Sequence, residues 1–508
     1  MNHNLYAQLV ELNQDRLDNK FLTVPGGRSF TYREMDKRSA AMATVLLKIG
    51  LSPGDRIVVL VKKSTDAVAL YLACLRSGLV YVPLNPAYSG DEIGYFLGDA
   101  DPALFVFGPD KSDQFRPMAE IAGVANVVTL GDDGTGSLAE ATNKVEAENA
   151  QQDILNKNAS DDIAVMLYTQ GTTGRAKAAM LSHHNLATNA ASLYKAWNFR
   201  PNDVVLHALY LFHMHGLFVA LHPTMANGSE ILFLSTFDSA EVRASLDKVT
   251  VVMGVPVHYQ ELLNDPDFGP IDCSTIRLFL SGSAPLPQGI FREFASRTGH
   301  RIHERYGVSE CGVIATNPLN EEPVPGSVGR PLPDVELVIF DDHKQPITDG
   351  SIGQIGVRGP SVFSGYWQQP DLTDEFLNLD GFFNTGDRGN LNQAGHLILV
   401  GREGDRIVSG DDDVYPKEVE LILGELDQVI EVAVLGLPHP DLGEAVAAFV
   451  NAEPGVTEND LEVAIAHRLD AYKLPRVYFL TSDMPRSPVG KIQKKLLQEE
   501  FSNHFFEN

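Results

Sequence analysis

The sequence predicts an α/β protein: a large layered N-terminal unit with a β-rich subdomain, then a small α+β C-terminal unit. Three observations carry this. Short β-branched runs alternate with amphipathic helical runs through most of the chain, the texture turns to short strands and turns beyond Gly326, and a compact run with its own helix and strands follows Gly401-Arg402-Glu403-Gly404-Asp405. Alternation of strand and helix builds a helix-covered sheet. A chain of 508 residues also exceeds one ordinary core, so two to four packed units are expected.

Taken in order, residues 55–61 read as a strand, 66–76 as a helix and Val80–Pro83 as a strand. The polar stretch 145–162 predicts a boundary between two such units. Residues 163–168 form a buried strand, and Ser182 caps a helix running through Ala190. The apolar stretch 204–221 is broken by His207, His213, His215 and Gly216, which suits strand, loop and helix better than a membrane span. Residues 251–255 and 275–281 read as buried strands ending at glycine-containing loops, where ligands bind in open α/β sheets. Strands at 336–340 and 353–357 belong to the β-rich subdomain, which closes near Gly401. The C-terminal unit has a helix at 417–426, strands at 429–434 and 446–450, and a basic terminal helix.

With 44% hydrophobic residues and a net charge of −27, the chain reads as a soluble globular protein whose field repels nucleic acid and anionic membranes. A small anionic ligand would need locally basic residues. Cys74, Cys273 and Cys311 have no spacing suited to zinc or a disulfide framework, and Met1-Asn2-His3-Asn4-Leu5 lacks the basic and apolar parts of an export signal. Both observations predict a cytoplasmic protein.

The chemistry concentrates in Tyr168-Thr169-Gln170-Gly171-Thr172-Thr173-Gly174-Arg175-Ala176-Lys177. Gly171 and Gly174 let backbone N–H groups approach a charged oxygen, Thr169, Thr172 and Thr173 add hydroxyl donors, and Arg175 and Lys177 add positive charge. Placed between strand and helix, this suits a nucleotide's phosphates. No Gly-Lys-Ser/Thr ends it, so it is not a Walker loop. Taken alone, such a Gly/Thr-rich turn favours a polar surface turn over a phosphate site.

Further motifs follow in order: Glu304-Arg305-Tyr306-Gly307-Val308-Ser309-Glu310, Thr385-Gly386-Asp387, Gly401-Arg402 and Pro485-Arg486-Ser487-Pro488-Val489-Gly490-Lys491. The ordered set resembles the adenylate-forming acyl-CoA synthetase family over essentially the whole chain. Within it, His213-Met214-His215-Gly216-Leu217, Met253-Gly254-Val255-Pro256, the run 277–286 and Arg305 are most similar to the branch that activates malonate. The resemblance implies residues 1–401 as an adenylation domain, 402–404 as a hinge and 405–508 as a mobile lid. It implies ATP, Mg²⁺ and coenzyme A, and two steps: a carboxylate attacks the ATP α-phosphate to give an acyl-adenylate and pyrophosphate, and coenzyme A then displaces AMP. Methylmalonate is a close alternative acid, and a different acceptor (an amine or a carrier-protein thiol) or a non-catalytic nucleotide-binding paralogue are the competing readings.

The roles it implies are specific. Thr169, Gly171, Thr172, Thr173, Gly174 and Lys177 would cradle phosphates; Gly282, Ser283 and Ala284 would line the base pocket; Tyr306, flanked by Gly307 and Ser309, would stack on adenine; and Asp387 with Arg402 would take the ribose. Glu310 would hold Mg²⁺, a hard cation suited to carboxylate and phosphate oxygens. Lys491 would neutralise charge at the reacting oxygens, with His213 beside it, and Gly410 and Asp411 would line the path of coenzyme A. Arg305, with His213 and His215, would hold the acid, because the second carboxylate of a dicarboxylate needs a charged partner when it leaves water. The competing structural roles are an Arg305–Glu304 surface pair, a surface Lys491 in a basic helix with Lys494 and Lys495, a core His215 and a turn-forming Asp387.

Departures from the family pattern fall at Gln170 and Ala178, which stand where Ser and Gly are usual, and at Ser309, which replaces Thr. Gly404 stands where the hinge usually has Lys or Asp. Asp411 replaces a tunnel glycine, and with Asp412 and Asp413 it places three adjacent carboxylates that repel one another and an incoming phosphate. The changes at Gln170, Ala178 and Ser309 are expected to tune adenylation, whereas Gly404 and the run Asp411 to Asp413 predict a weakened or redirected second step.

Overall fold

The helix Thr65–Ser77 is buried from Asp66 to Ser77, and that burial organises the N-terminal unit. It carries apolar residues all round, so it can only sit between layers. Ser64 caps its first turn by accepting from the Ala67 N–H at 3.1 Å, and Gly78 ends it in the left-handed conformation at φ 71°. One hydrophobic cluster unites it with residues of two large sheets, among them Ile57, Val165, Val205 and Val251. This computed structural model describes residues 2–169, 176–377, 380–410, 412–487 and 490–506.

Among the described residues, one sheet runs in spatial order Arg330–Pro331, Gly312–Thr316, Ile302–Val308, Leu278–Ser281, Val251–Gly254, Val204–His207, Glu230–Phe233, Lys20–Thr23 and Ser29–Thr31. From Ile302–Val308 to Lys20–Thr23 the neighbours are parallel. The second runs Gly365–Tyr366, Lys177–Ser182, Ile163–Thr169, Val80–Pro83, Arg56–Leu60, Leu104–Phe107 and Asn126–Thr129.

Two expectations need correction. The polar stretch 145–162 does not divide two units: after it the chain returns to the same sheet, where Ile163–Thr169 pairs with Val80–Pro83, and the N-terminal strand Lys20–Thr23 completes the other sheet beside Glu230–Phe233. Its polarity records a surface path. The glycine-rich turn also does not join strand to helix. It joins Ile163–Thr169 to the antiparallel strand Lys177–Ser182, whose Ala178, Ala179 and Leu181 are buried. Ser182 does cap the next helix, His183–Ala196, through a capping box with Asn185.

A four-stranded antiparallel sheet, Glu336–Phe340, Gly353–Arg358, Phe383–Leu391 and Leu397–Arg402, forms the β-rich part and sets Asp387 directly across from Arg402. The C-terminal unit has its own apolar clusters. Its helix is Pro416–Gly424, and its hairpin strands Val429–His439 and Gly443–Ala452 run longer than expected. Among the described residues, no helix is long and apolar enough to cross a membrane. Cys74, Cys273 and Cys311 are buried and unpaired with one another.

Candidate active site

Parallel strands end on a common side, and their carboxyl ends carry the polar residues of a single cleft. Ile302–Val308 carries Glu304, Arg305 and Tyr306, Leu278–Ser281 leads into Gly282 and Ser283, and Val204–His207 leads to His213 and the helical turn His215–Ala220, where the chain turns at His213–Gly216. Arg305 is 3% exposed, and its Nε and Nη2 have no hydrogen-bond partner among the described residues. Burial alone pushes its pKa down to about 9. The guanidinium lies against Gly282, where a β-carbon would come within 2.4 Å of Nε. Glu304 is also buried, and burial pushes its carboxyl up to about 7 against the pull of Lys417. Two buried side chains with no ion pair between them exclude the surface-pair role.

His213 accepts the His215 backbone N–H on Nδ1 at 3.2 Å, so its ring proton sits on Nε2. Burial, then Lys491 and Arg305, push His213 down to about 3, leaving a neutral ring whose Nε2–H can donate. His215 is 2% exposed, and its Nδ1 lies 3.2 Å from the Ser283 hydroxyl, which a left-handed φ of 71° turns toward it.

On the nucleotide side, Asp387 accepts from the Tyr306 hydroxyl at 2.5 Å and from Arg402 Nε at 2.7 Å. Its backbone N–H donates to Thr385 Oγ1 at 3.1 Å. Asp387 and Arg402 come from adjacent strands, so the pair is built by sheet register and is more than turn chemistry. The Arg402 pKa is raised chiefly by Asp387. Gly307 must be glycine, since a β-carbon would lie 2.2 Å from the Gly312 carbonyl oxygen.

Lys177 leaves the described end of the phosphate turn with its ammonium 4.1 Å from the Tyr366 ring and 3.8 Å from the Phe376 ring. Burial lowers its pKa and Glu310 pulls it back up. Glu310 is itself buried and accepts from the Tyr366 hydroxyl at 2.9 Å. Thr169 lies at the other end of the turn, its hydroxyl 3.4 Å from the Lys177 carbonyl oxygen. Ser309 and Ala284 are half-buried beside these groups. Gly171, Thr172, Thr173 and Gly174 lie outside the described residues, as do Gln170 and Arg175.

Lys491 reaches this cleft from the C-terminal unit. Its surface is open to water, yet protein surrounds the ammonium closely enough that desolvation, then Arg402, lowers its pKa, while Asp387 and Asp405 raise it. It precedes the terminal helix Lys494–Glu500, so it is no member of a basic surface helix. Gly490, at φ 82°, packs where a β-carbon would meet Val257 Cγ1 at 2.9 Å. The two units are further joined by Arg292, which donates to the carbonyls of Gly424 at 3.3 Å and Leu426 at 3.1 Å.

Gly410 is not brought to the cleft by any described contact. Its N–H donates to the Leu442 carbonyl at 2.8 Å, inside the C-terminal unit. Asp411 lies outside the described residues. The expected mutual repulsion of the acidic run is partly relieved, since Asp413 pairs with Arg406 at 2.8 Å. A side chain at Gly404 would meet nothing within 4 Å. Tyr366 and Phe376 were missed by sequence reasoning, because only the pairing of Gly365–Tyr366 with Lys177–Ser182 brings Tyr366 to Lys177. Lys63, His207 and Gly490 were missed as well.

The AMP-binding enzyme model matches residues 11–367, and the AMP-binding enzyme C-terminal domain model matches residues 418–491. A malonate–CoA ligase of Arabidopsis thaliana is 30% identical, over 94% of this chain and 85% of the relative. A long-chain-fatty-acid–CoA ligase of Escherichia coli O157:H7 is 29% identical, over 98% and 96%. The crystal structure of ATP-bound MatB from Rhodopseudomonas palustris superposes with a TM-score of 0.94 at 39% identity, over 99% of this chain and 100% of that one. Apo MatB from the same organism gives 0.87.

Proposed function

As the chain belongs to the AMP-binding enzyme family and is an AMP-forming acyl-CoA synthetase, using ATP and coenzyme A, we propose that its acid is malonate or a close dicarboxylate such as methylmalonate. The observation that carries this is the buried guanidinium of Arg305, two of whose nitrogens lack a partner among the described residues. A buried unpaired cation is costly, and a substrate's distal carboxylate would relieve that cost through a charge-assisted pair. A fatty acid's tail would leave it uncompensated.

In this reading the proximal carboxylate attacks the α-phosphate near Lys491, which moves as a point charge on the lid and neutralises the developing charge. His213 offers its Nε2–H as a neutral donor beside it. Asp387 and Arg402 receive the ribose, Tyr306 with Gly282, Ser283 and Ala284 the base, and Lys177 with Thr169 and the glycine-rich turn the phosphates. Glu310 is suited to Mg²⁺, since the Tyr366 hydroxyl occupies Oε1 and leaves Oε2 available, and one carboxylate plus phosphate oxygens is how that ion is usually held. The ion would neutralise phosphate charge there. Residues 402–404 act as the hinge and 405–508 as the lid. Gly410 and Asp411 would meet coenzyme A in a second lid orientation.

Pyrophosphate release with malonate, methylmalonate, propionate and acetate tests the reading. Preference for the two dicarboxylates supports it; preference for the monocarboxylates refutes it.

A further inference from the structure

Lys63 follows the strand Arg56–Leu60 and precedes the helix Thr65–Ser77, and its ammonium turns inward behind the His213–Gly216 turn. Nζ lies 2.8 Å from Nδ1 of His207 and 2.8 Å from the His207 carbonyl oxygen, and 4.4 Å from the centre of the Phe233 ring. Among the described residues no carboxylate acts on it, and burial holds the lysine's pKa well below its ordinary value. A buried amine with no carboxylate partner is costly unless its hydrogen bonds are put to use.

The hydrogen bonds define one. The Gly216 carbonyl oxygen can only accept, so the His207 ring proton sits on Nε2, 2.8 Å from it, and Nδ1 is left to accept from Lys63, whose donation favours this tautomer. Gly216 has little freedom on its other side, where a β-carbon would lie 2.2 Å from the Tyr210 carbonyl oxygen. Its neighbours His213 and His215 are the histidines that face Arg305. We propose that Lys63 is a positioning residue for the acid pocket: by selecting the His207 tautomer it anchors the Gly216 carbonyl and so sets His213 and His215 against Arg305. This rests on the reading of that turn as part of the acid site. With Nδ1 protonated instead, the Gly216 carbonyl would lose the Nε2–H donor and the ring would turn a second donor toward Lys63.

Lys63→Met, Lys63→Arg, His207→Gln and the double variant Lys63→Met/His207→Gln test this by steady-state pyrophosphate release. The acid used is whichever of malonate, methylmalonate, propionate and acetate gives the parent its highest kcat/KM, so failure of the malonate reading shows in the parent alone. The expected result is a rise of about tenfold in the acid KM for Lys63→Met, with the ATP KM held within about twofold, because one positioning hydrogen bond is lost on the acid side only. Lys63→Arg, which still donates to Nδ1, recovers most of the loss. The double variant is no worse than the worse single variant, because both break one chain of contacts. Equal changes in the two KM values, an unchanged acid KM, no recovery by arginine, or additive losses would each overturn the proposal. If Lys63→Met does not fold, Lys63→Arg and His207→Gln decide it: near-parent acid KM in the first with a raised acid KM in the second supports it, and any other pattern overturns it.

Discussion

The Arg305 guanidinium rests directly on Gly282: a β-carbon at Gly282 would come within 2.4 Å of Nε and 2.5 Å of Cζ. The absence of a side chain at one position therefore sets where a cation sits at another. Gly282→Ala should push the guanidinium off its seat by on the order of an ångström, raising the malonate KM between about 10- and 100-fold. Acid and ATP titrations of pyrophosphate release check it, and an unchanged acid KM would show that the contact does not place the cation.

Lys491 should matter to one half-reaction. On the proposed role, Lys491→Ala removes a positive charge from the reacting oxygens, so acid-dependent pyrophosphate exchange should fall about 10²- to 10³-fold. Supplied acyl-adenylate and coenzyme A should still give thioester near the parent rate. Equal loss in both assays would mean the lysine does more than neutralise charge during adenylation.

Tyr366→Phe deletes the hydroxyl that holds Glu310 Oε1 at 2.9 Å while keeping the ring over Lys177. On the proposal that Glu310 holds Mg²⁺, the Mg²⁺ concentration giving half-maximal rate should rise about tenfold, as for outer partners of metal-binding carboxylates. A Mg²⁺ titration at saturating ATP reads this directly.

Much of this site was legible in the sequence because chemistry-bearing residues lie in short runs. Glu304-Arg305-Tyr306 and Thr385-Gly386-Asp387 pointed to the cleft without any knowledge of the sheets. What was not legible depends on pairing across sequence. Tyr366 meets Lys177 only because Gly365–Tyr366 adds to the edge of the second sheet, and Lys63 meets His207 only because two sheets are stacked on one helix layer. The polar stretch 145–162 misled for the same reason: local polarity reports exposure, whereas unit boundaries depend on which strands pair. Arg305 shows a middle case, since its identity was visible but its burial against Gly282 was not.

Glu304 gives the protein a pH signature. Its folded pKa, about 7, lies above the ordinary 4.5, so between these values the unfolded chain is ionised while the folded carboxyl stays neutral, and stability falls as pH rises across that window. Above about pH 7 the deficit is constant, at most roughly 3 kcal/mol. Glu304→Gln should therefore melt higher than the parent at pH 8, and the difference should vanish near pH 4.5. Thermal melts at both pH values check it; a variant that is less stable at pH 8 would mean that Lys417 outweighs burial.

The most direct test of the central claim is the ratio of kcat/KM for malonate to that for propionate, measured by pyrophosphate release in the parent and in Arg305→Met. A buried charge pair to the distal carboxylate predicts a parent ratio well above one that falls about 100-fold or more in the variant, with the propionate value steady or improved. A parent that favours propionate, or a variant that loses both acids alike, would contradict the assignment of Arg305 to a second carboxylate.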